Sequence, residues 1–359
     1  MHHRDIIFVS NQLSNGGAAR VLTVLANGLA ARGRHVGILS FHPAATEYYL
    51  DHSVVKVYGP QGPKAYSKLK QILWIRRAAK TNSKAVFISF EYFINIKVLF
   101  ACLTLPNRVI ASERNDPARV GTGFPRDPLR KLLYQTADRL VCQTDEAAGY
   151  FSDKTRKAVI MNPLTPNLPD PIMTKRRKTV VSFCRLEPQK NLDMLVKAFA
   201  TFHIKYPEYT LEIYGEGSQR SALSGLIDSL GLRGVARIMR ATQDIHEIVR
   251  DCSMFVLPSH YEGLSNSMIE AMALGLPTIC TDSPCGGARM VIQDGQNGIL
   301  VPVDDTSGLL LAMERVAADE TYATRIGEAA TEIRSQLSQD TILSQWEDLI
   351  FSGGGPNGD

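Results

Sequence analysis

The sequence predicts an α/β protein made of two doubly wound domains, each a parallel sheet with helices on both faces. Short apolar runs, typical of buried parallel strands, alternate with longer segments whose apolar residues recur at helical spacing. This alternation occurs twice along 359 residues, a length that suits two domains. Between the two series lies the segment 162–171, with four prolines in ten residues, which predicts an interdomain linker.

The individual elements follow in chain order. The first series predicts strands at 5–10, 35–41, 54–58, 85–89, 108–112 and 139–143, with helices at 17–32, 64–80 and 128–137. The second series predicts strands at 178–184, 210–214, 236–239, 254–257, 277–281 and 299–301. Its helices are predicted at 191–205, 218–230, 245–251 and 265–273, and further helices from 306 to 350. The predicted domains are therefore 1–165 and 172–335, and the glycine-rich residues 352–359 predict a disordered tail.

The net charge of +4 conceals an uneven distribution. Residues 1–170 hold 23 Lys and Arg against 12 Asp and Glu, whereas residues 171–359 hold 17 against 24. A basic half predicts an anionic partner. Because the chain carries no nucleic-acid-binding motif, a membrane surface or a diphosphate lipid is favoured over nucleic acid.

The most basic segment is 64–80, which holds six basic residues and no acid. Apolar residues such as Leu69 and Leu73 recur there at helical spacing. One interpretation is a helix that lies on anionic lipid, with Tyr66 and Trp74 at the level of the headgroups. The other is a helix that packs on the sheet and exposes a solvated basic face.

Cysteine usage and hydropathy indicate a cytosolic protein. Six cysteines show no paired spacing, and most lie beside apolar runs, which predicts buried thiols rather than disulfides or zinc ligands. No apolar run approaches the ~20 residues that span a bilayer. The chain also starts with a strand rather than with the apolar region of a signal peptide.

Two glutamates, Glu262 and Glu270, stand at the start of the helix predicted at 265–273. Glu262 is expected in the preceding loop and Glu270 on the helix. A helix N-terminus suits a phosphate, so one carboxylate near sugar hydroxyls and one near ribose hydroxyls would complete a nucleotide-sugar site. The alternative is a solvated loop glutamate and a surface helix glutamate. The residues that connect Glu262 to the helix are Gly263, Leu264 and Ser265.

Arg185 and Lys190 stand between the strand predicted at 178–184 and the helix that follows it. Two fixed positive charges at a strand end suit a diphosphate, because arginine binds bidentately and lysine acts as a point charge. Glu187 lies between them and could instead pair with either one.

Glycines and polar residues follow four other predicted strands, at the edge of a parallel sheet where ligands bind. The glycines allow close approach of a ligand to the backbone. The candidates are Gly16, Gly17, Gly215, Gly217, Arg240, Glu113, Arg114 and Asn115.

Four motifs together resemble the family-4 retaining glycosyltransferases over nearly the whole chain. They are the E-x7-E signature at Glu262 and Glu270, the R-x4-K pair, Asn15-Gly-Gly-Ala-Ala-Arg20 and Tyr214-Gly-Glu-Gly217. The resemblance implies the GT-B fold, in which two Rossmann-like domains face each other across a cleft. It also implies that a C-terminal helix at 336–351 crosses back to the first domain.

The resemblance implies a role for each candidate. Arg185 and Lys190 would neutralise the leaving nucleoside diphosphate, Glu262 would hold the donor sugar, and Glu270 the ribose. The glycines, Arg240 and residues 263–265 would surround the nucleotide, and residues 113–115 would face the acceptor. The chain departs from the family where Ala19 replaces a glutamate and where Arg114 replaces a histidine found in many members.

The implied reaction is transfer of a hexosyl or N-acetylhexosaminyl group, with retention, from a nucleoside diphosphate sugar, with UDP expected. The implied acceptor is a lipid-linked saccharide in bacterial polysaccharide or glycan assembly, at the inner face of the cytoplasmic membrane. Because the chain has no Asp-x-Asp triplet, no metal cofactor is expected. His246 and His260 show no partner in register and are expected to be structural. The alternatives are a GT-B epimerase or hydrolase, or an inactive module that binds sugar nucleotides.

Overall fold

The computed structural model describes residues 5–14, 16–60, 64–172 and 176–352, without the side chains of 64–67. The chain divides into two compact units. The first comprises Met1–Thr165 together with Leu337–Asp359, and the second is Pro166–Gln336. Asn15 and the tail from residue 353, both subjects of the sequence predictions, lie outside the described residues.

The first unit contains a seven-stranded parallel sheet in the order β3-β2-β1-β4-β5-β6-β7. Every residue of β1, β2 and β4 is buried, as the apolar runs predict. Because β1 lies between β2 and β4, the direction of the crossovers reverses there. The strands are β1 Ile6–Ser10, β2 Val36–Ser40, β3 Val55–Tyr58, β4 Val86–Phe90, β5 Val109–Ser112, β6 Arg139–Cys142 and β7 Lys157–Val159.

Five helices connect these strands. The helix that follows β3 packs beside the helix that follows β4, which in turn packs beside the helix that follows β5. They are α1 Gly17–Ala31, α2 Lys64–Thr81, α3 Tyr92–Cys102, α4 Arg126–Tyr134 and α5 Asp145–Gly149.

The second unit contains a six-stranded parallel sheet in the order β10-β9-β8-β11-β12-β13. Its crossovers reverse between β8 and β11, so the two parallel-sheet units confirm the predicted fold class. The strands are β8 Arg177–Phe183, β9 Thr210–Tyr214, β10 Ala236–Met239, β11 Cys252–Leu257, β12 Thr278–Thr281 and β13 Ile299–Val301. The helices are α6 Leu192–Lys205, α7 Arg220–Ser229, α8 Ile245–Val249, α9 Asn266–Ala273, α10 Thr306–Ala318, α11 Glu320–Ala330 and α12 Ile333–Gln336.

The last helix, α13 (Gln339–Phe351), belongs to the first unit, where it packs on α1. Trp346 is fully buried, and its ring centroid lies 5.9 Å from that of Phe90. Arg32 and Arg34 both form ion pairs with Glu347. Apolar packing and charge pairing therefore hold the end of the chain on the first sheet.

Three elements of the first unit are absent from the sequence prediction: α3, α5 and β7. The apolar run that contains Phe100 and Cys102 belongs to α3. This helix combines apolar residues on nearly all sides with two aromatic residues at its start, so its sequence lacks a helical period. Five of the six cysteines are buried, as predicted, and Cys184 is partly exposed.

Helix α2 combines features of both interpretations of segment 64–80. Leu69 and Leu73 are each 56% exposed. In contrast, Trp74 packs against Phe41, with ring centroids 6.0 Å apart, so the expected position of its ring at the headgroups is wrong. Arg76 donates from Nη1 to the carbonyl oxygen of Ala101, 2.8 Å away, and so ties α2 to α3. Within the described part of the chain, no helix is both long and apolar enough to cross a bilayer.

Candidate active site

The main candidate residues of the second unit follow β8 and β11, the neighbouring strands at which the crossovers reverse. Ligands of open parallel sheets bind at the carboxyl ends of such strands. Gln189 joins the two loops: its carbonyl oxygen accepts from the His260 amide at 2.9 Å, and its Nε2 donates to the Tyr261 carbonyl oxygen at 2.8 Å. Topology therefore brings together two motifs that are some seventy residues apart in the sequence.

Lys190 and Glu262 meet in this place and form an ion pair. Their side chains are only 9% and 14% exposed. Ser259 donates a second hydrogen bond to the same carboxylate, from Oγ to Oε1 at 2.8 Å. Glu262 lies in the loop before α9, as expected. Two side chains with separately predicted roles are thus direct partners.

Arg185, in contrast, is exposed, and the one described hydrogen bond of its side chain, from Nη2 to Gln189 Oε1, is long at 3.5 Å. Glu187 accepts from the Oγ and the amide of Ser218, at 2.7 and 3.1 Å, and these bonds lower the pKa of Glu187. The alternative in which Glu187 pairs with Arg185 or Lys190 is therefore not what the structure shows. The Arg185 guanidinium remains accessible to an anion.

Glu270 lies on α9 and is only 2% exposed, so the alternative of a surface glutamate is wrong. His246, on α8, contacts it, with 3.0 Å between Nε2 and Oε2. The ring of His246 also packs edge-on against Phe183 at 6.2 Å. The expectation that His246 has no partner is wrong, because sequence spacing alone does not show that α8 lies beside α9.

His260 also has a partner, contrary to expectation. Its Nδ1 lies 3.1 Å from Oδ1 of Asp304, and the same oxygen accepts from Asn191 Nδ2 at 3.0 Å. Asn191 and Asp304 both have left-handed backbones, with φ of 49° and 64°. Backbone strain of this kind concentrates at functional sites, and here it lies directly after Lys190.

The start of α9 borders a cavity with about 210 Å³ of empty volume beside Glu262 and Ser265. Ser265 is the N-cap of α9, but its side chain makes no capping hydrogen bond and instead contacts Ser267. Leu264 is buried. Gly263 is approached so closely by Gly287 that a Cβ on Gly287 would lie 1.7 Å from the Gly263 carbonyl oxygen. Gly287 therefore packs directly against the loop that carries Glu262.

Gly215 and Gly217 have a packing reason to be glycine. A Cβ on Gly215 would lie 1.9 Å from the Cys184 carbonyl oxygen, and one on Gly217 would lie 2.3 Å from that of Leu186. These glycines let the loop after β9 pack against the loop that carries Arg185. The remaining nucleotide candidate of this unit, Arg240, is exposed and directly follows β10.

In the first unit, Gly16 is the N-cap of α1, and Gly17 is its first residue. Gly16 has an extended backbone, with φ of −179°, and a Cβ there would meet nothing within 4 Å. Packing against the described part of the chain therefore does not require glycine at this position. Open space around the start of α1 agrees with the expectation that a ligand approaches there.

Glu113, an acceptor-side candidate, is buried rather than accessible. It is 3% exposed and accepts a hydrogen bond from the Tyr134 hydroxyl. Nη1 of Arg130, which is fully buried, lies 3.7 Å from its carboxylate. Burial raises the pKa of Glu113 to about 7, although Arg130 and Tyr134 act in the opposite direction. Its position identifies Glu113 as part of the interior of the first unit.

Arg114 directs its guanidinium over the rings of Phe90 and Trp346, at 4.2 and 5.5 Å from their centroids. Nη1 donates to Asn162 Oδ1 at 2.9 Å, whereas Nε and Nη2 are buried without a partner. Burial lowers the pKa of Arg114. Asn115, the third acceptor-side candidate, is partly exposed and accepts from the amide of Asp116 through Oδ1.

A metal requirement is not decided by this geometry. Among residues 5–14, 16–60, 64–172 and 176–352, no group of three or more His, Cys, Asp or Glu is placed to hold an ion. Metal independence stays a prediction.

Two known families match the chain, one in each half. The family described as Glycosyltransferase Family 4 matches residues 15–165, and the one described as Glycosyl transferases group 1 matches residues 169–333. Together they cover most of the chain. The chain belongs to the family-4 glycosyltransferases. It is therefore an enzyme of the transferase class.

Individual relatives differ in how much of this chain they share. A Campylobacter jejuni N-acetylgalactosaminyltransferase that acts on a diphosphoundecaprenol-linked saccharide is 27% identical over 355 residues, covering 96% of this chain and 98% of the relative. An exopolysaccharide phosphotransferase of Streptomyces coelicolor is 33% identical over 253 residues. That match covers 68% of this chain but only 26% of the Streptomyces protein.

Solved glycosyltransferase structures share the whole fold. Anabaena HepE, solved with UDP-glucose, superposes with a TM-score of 0.84 at 18% identity and covers 98% of this chain and all of HepE. The lipopolysaccharide galactosyltransferase WaaB superposes with a TM-score of 0.75. The predicted GT-B fold class is confirmed.

The buried position of Glu113 predicts a pH-dependent stability. Because its pKa is about 7 in the folded chain and near 4.5 in the unfolded chain, the folded state keeps a proton that the unfolded state loses between these values. This residue therefore costs stability increasingly as pH rises from 4.5 to 7. We expect Glu113→Gln to gain stability relative to the unchanged protein at pH 8, by roughly 1–3 kcal/mol more than at pH 5.

Urea denaturation at the two pH values measures this difference. Glu146→Gln, at an exposed position of the same unit, is the control and is expected to show no such trend. Equal changes in the free energy of unfolding at pH 5 and pH 8 for Glu113→Gln would show that Glu113 is ionised in the folded protein.

Proposed function

We propose that this glycosyltransferase moves a hexosyl or N-acetylhexosaminyl group from a UDP-sugar to a lipid-linked saccharide, with retention at the anomeric carbon. The observation that carries the proposal is the Lys190–Glu262 ion pair, which lies at the strand ends where the crossovers of the second sheet reverse. The acceptor class is supported by the Campylobacter relative, which matches nearly the full length of both chains. The pathway we propose is bacterial polysaccharide or glycan assembly.

Donor binding would divide the ion pair. The diphosphate supplies oxygens for the Lys190 ammonium and for the exposed Arg185 guanidinium, and the Glu262 carboxylate is then available for sugar hydroxyls. Glu270, oriented by His246, would accept from the ribose hydroxyls. No new buried charge is created, because Lys190 exchanges one anionic partner for another.

In the chemical step the bond between the anomeric carbon and the β-phosphate oxygen breaks, and a bond to the acceptor oxygen forms on the same face. The acceptor proton passes to the departing phosphate, whose growing negative charge is stabilised by Arg185 and Lys190. Such electrostatic stabilisation is commonly the largest single contribution to catalysis. We assign no covalent nucleophile and no metal.

A donor screen tests the reaction class. Purified protein is incubated with UDP- and GDP-sugars, UDP-glucose first, with and without a lipid-diphosphate saccharide, and release of the nucleoside diphosphate is measured. We expect acceptor-dependent release from a UDP-sugar that persists in excess EDTA, because two cationic side chains take the place of a metal. Release without acceptor would indicate a hydrolase or epimerase, and binding without release an inactive module. Activity that EDTA abolishes and Mg²⁺ restores would refute the metal-free mechanism.

The two cations provide a second test. We expect Arg185→Ala and Lys190→Ala each to lower kcat/KM by roughly 10²-fold or more, as for the loss of one donor that stabilises a transition state. Arg185→Ala is the cleaner variant, because Arg185 is exposed and its loss leaves no buried charge unpaired. Arg237→Ala, an exposed arginine on β10, is the matched control and should retain its rate. Near-normal rates for both variants would exclude the assignment.

We also propose that the first unit binds an anionic membrane at the cytoplasmic face through α2. The exposed Leu69 and Leu73 alternate there with exposed basic residues, a pattern suited to the interface between headgroups and acyl chains. Each basic residue near an anionic surface contributes ~1 kcal/mol, and salt screens this attraction. The surface would bring the enzyme to a lipid-linked acceptor.

Charge reversal tests the membrane surface. We expect the triple change Lys68→Glu, Lys70→Glu and Arg77→Glu to abolish sedimentation with phosphatidylglycerol vesicles at 0.1 M salt and to leave UDP affinity unchanged. Arg76 is kept, because it ties α2 to α3.

The control carries the same charge change on other exposed positions of the first unit. These are Arg119, Lys154 and Arg156. If both triple variants lose vesicle binding equally, net charge rather than α2 is responsible, and the surface is wrongly assigned.

A further inference from the structure

The first unit contains a cavity with about 480 Å³ of empty volume, open to solvent. It lies at the carboxyl ends of β1 and β4, neighbouring strands on either side of the point where the crossovers of this sheet reverse. Its place in the first sheet therefore corresponds to that of the Lys190–Glu262 loops in the second.

The lining of this cavity is mainly polar but carries aromatic surface. Ser10, Asn11 and Gln12 contribute hydroxyl and amide groups, and the partly exposed Phe93 contributes a ring. Saccharides present hydroxyls to such polar groups and C–H faces to aromatic rings. Among the described residues of the lining, Glu91 is the charged one, and a carboxylate can accept hydrogen bonds from two adjacent hydroxyls. Its negative charge opposes binding of a phosphate.

Glu91 is held there in a strained backbone, with φ of 75° and ψ of 131°. Residues other than glycine rarely adopt positive φ, and such strain clusters at ligand-binding positions. Glu91 is also the N-cap of α3, a position at which Ser, Thr, Asp or Asn stabilises a helix, yet its side chain makes no capping hydrogen bond. The strained backbone at the edge of the cavity therefore makes Glu91 a candidate ligand-binding residue.

We infer that this cavity binds a neutral saccharide and that Glu91 selects it by accepting hydrogen bonds from two of its hydroxyls. Calling that saccharide the acceptor rests on the proposed function. Glu91 then takes the recognition role that the sequence interpretation gave to Glu113, which is buried. The cavity would then bind the terminal sugar of the acceptor rather than its lipid or its diphosphate.

Saturation-transfer-difference NMR on the full chain tests the inference, with methyl α-D-glucopyranoside and the corresponding N-acetylglucosaminide as probes. We expect Glu91→Gln to weaken binding of the recognised probe at least tenfold, because the amide offers one neutral acceptor oxygen in place of two charged ones. Glu262→Gln should leave this affinity within twofold, because Glu262 belongs to the second unit. Affinity lost in Glu262→Gln but kept in Glu91→Gln would place the saccharide in the donor site and overturn the inference.

Thr104→Gly provides a matched control for backbone strain. Thr104, directly beyond the other end of α3, has a φ of 88° and is not in the cavity. Both Glu91→Gly and Thr104→Gly relieve a positive φ, and Thr104→Gly also removes the hydroxyl that accepts from Arg76 Nη2 at 3.0 Å. We expect both variants to remain folded and only Glu91→Gly to lose saccharide binding. Saccharide binding lost equally in both would show that the geometry of α3, not the carboxylate, is responsible.

Inorganic phosphate is added as a competitor, and its displacement of the saccharide would identify an anion site and overturn the inference. The donor screen is run on the same preparation. A saccharide signal that depends on Glu91 in a protein without UDP-sugar turnover would retain the cavity assignment and refute the proposed function. UDP-sugar turnover together with unchanged saccharide binding in Glu91→Gln would support the proposed function and refute the assignment of the cavity.

Discussion

The pairing of β8 with β11 is the constraint on which the candidate active site depends. These strands are far apart in the chain, but the reversal of the crossovers makes them neighbours, so that the loops after them start side by side. Gln189 then fixes one loop to the other through its main chain and its side chain. Gly215, Gly217 and Gly287 allow adjoining loops to approach more closely than a Cβ would permit. The catalytic groups are thus positioned mainly by backbone packing, and each side chain needs only a short reach.

The Lys190–Glu262 pair avoids the cost of burying an unpaired charge. A largely buried ammonium without an anion is costly, and so is a largely buried carboxylate without a cation. Each neutralises the other, so neither charge is left uncompensated in the interior. The exposed Arg185 carries no such cost, because water solvates its guanidinium. The charge of Lys190 is therefore stabilised by a protein carboxylate, whereas the charge of Arg185 is stabilised by solvent.

The sequence predicted most strands of both sheets, because buried parallel strands leave uninterrupted apolar runs. It also located Glu262 in a loop and Glu270 on a helix, since helical spacing begins between them. It failed where three-dimensional neighbours decide the outcome. Helix α3 has no clear period, because it is apolar on nearly all sides. The contact of His246 with Glu270 and the burial of Glu113 depend on which elements pack together in the fold. The sequence alone does not show this packing. Gly287 resembled an ordinary turn residue, and only the nearby Gly263 carbonyl oxygen shows why a side chain cannot stand there.

The return of α13 to the first unit has a consequence for how the protein is made. The first unit is built from two separate stretches, so the second unit is in effect an insertion within it. At ~5–20 residues per second, a ribosome would need roughly 10–30 s to produce the inserted part before Trp346 emerges. During that interval Phe90 lacks its indole partner, and the nascent first sheet has an apolar surface that a chaperone could shield. A fragment ending at residue 165 would keep that defect permanently, so an isolated first unit requires α13 to be joined back to it.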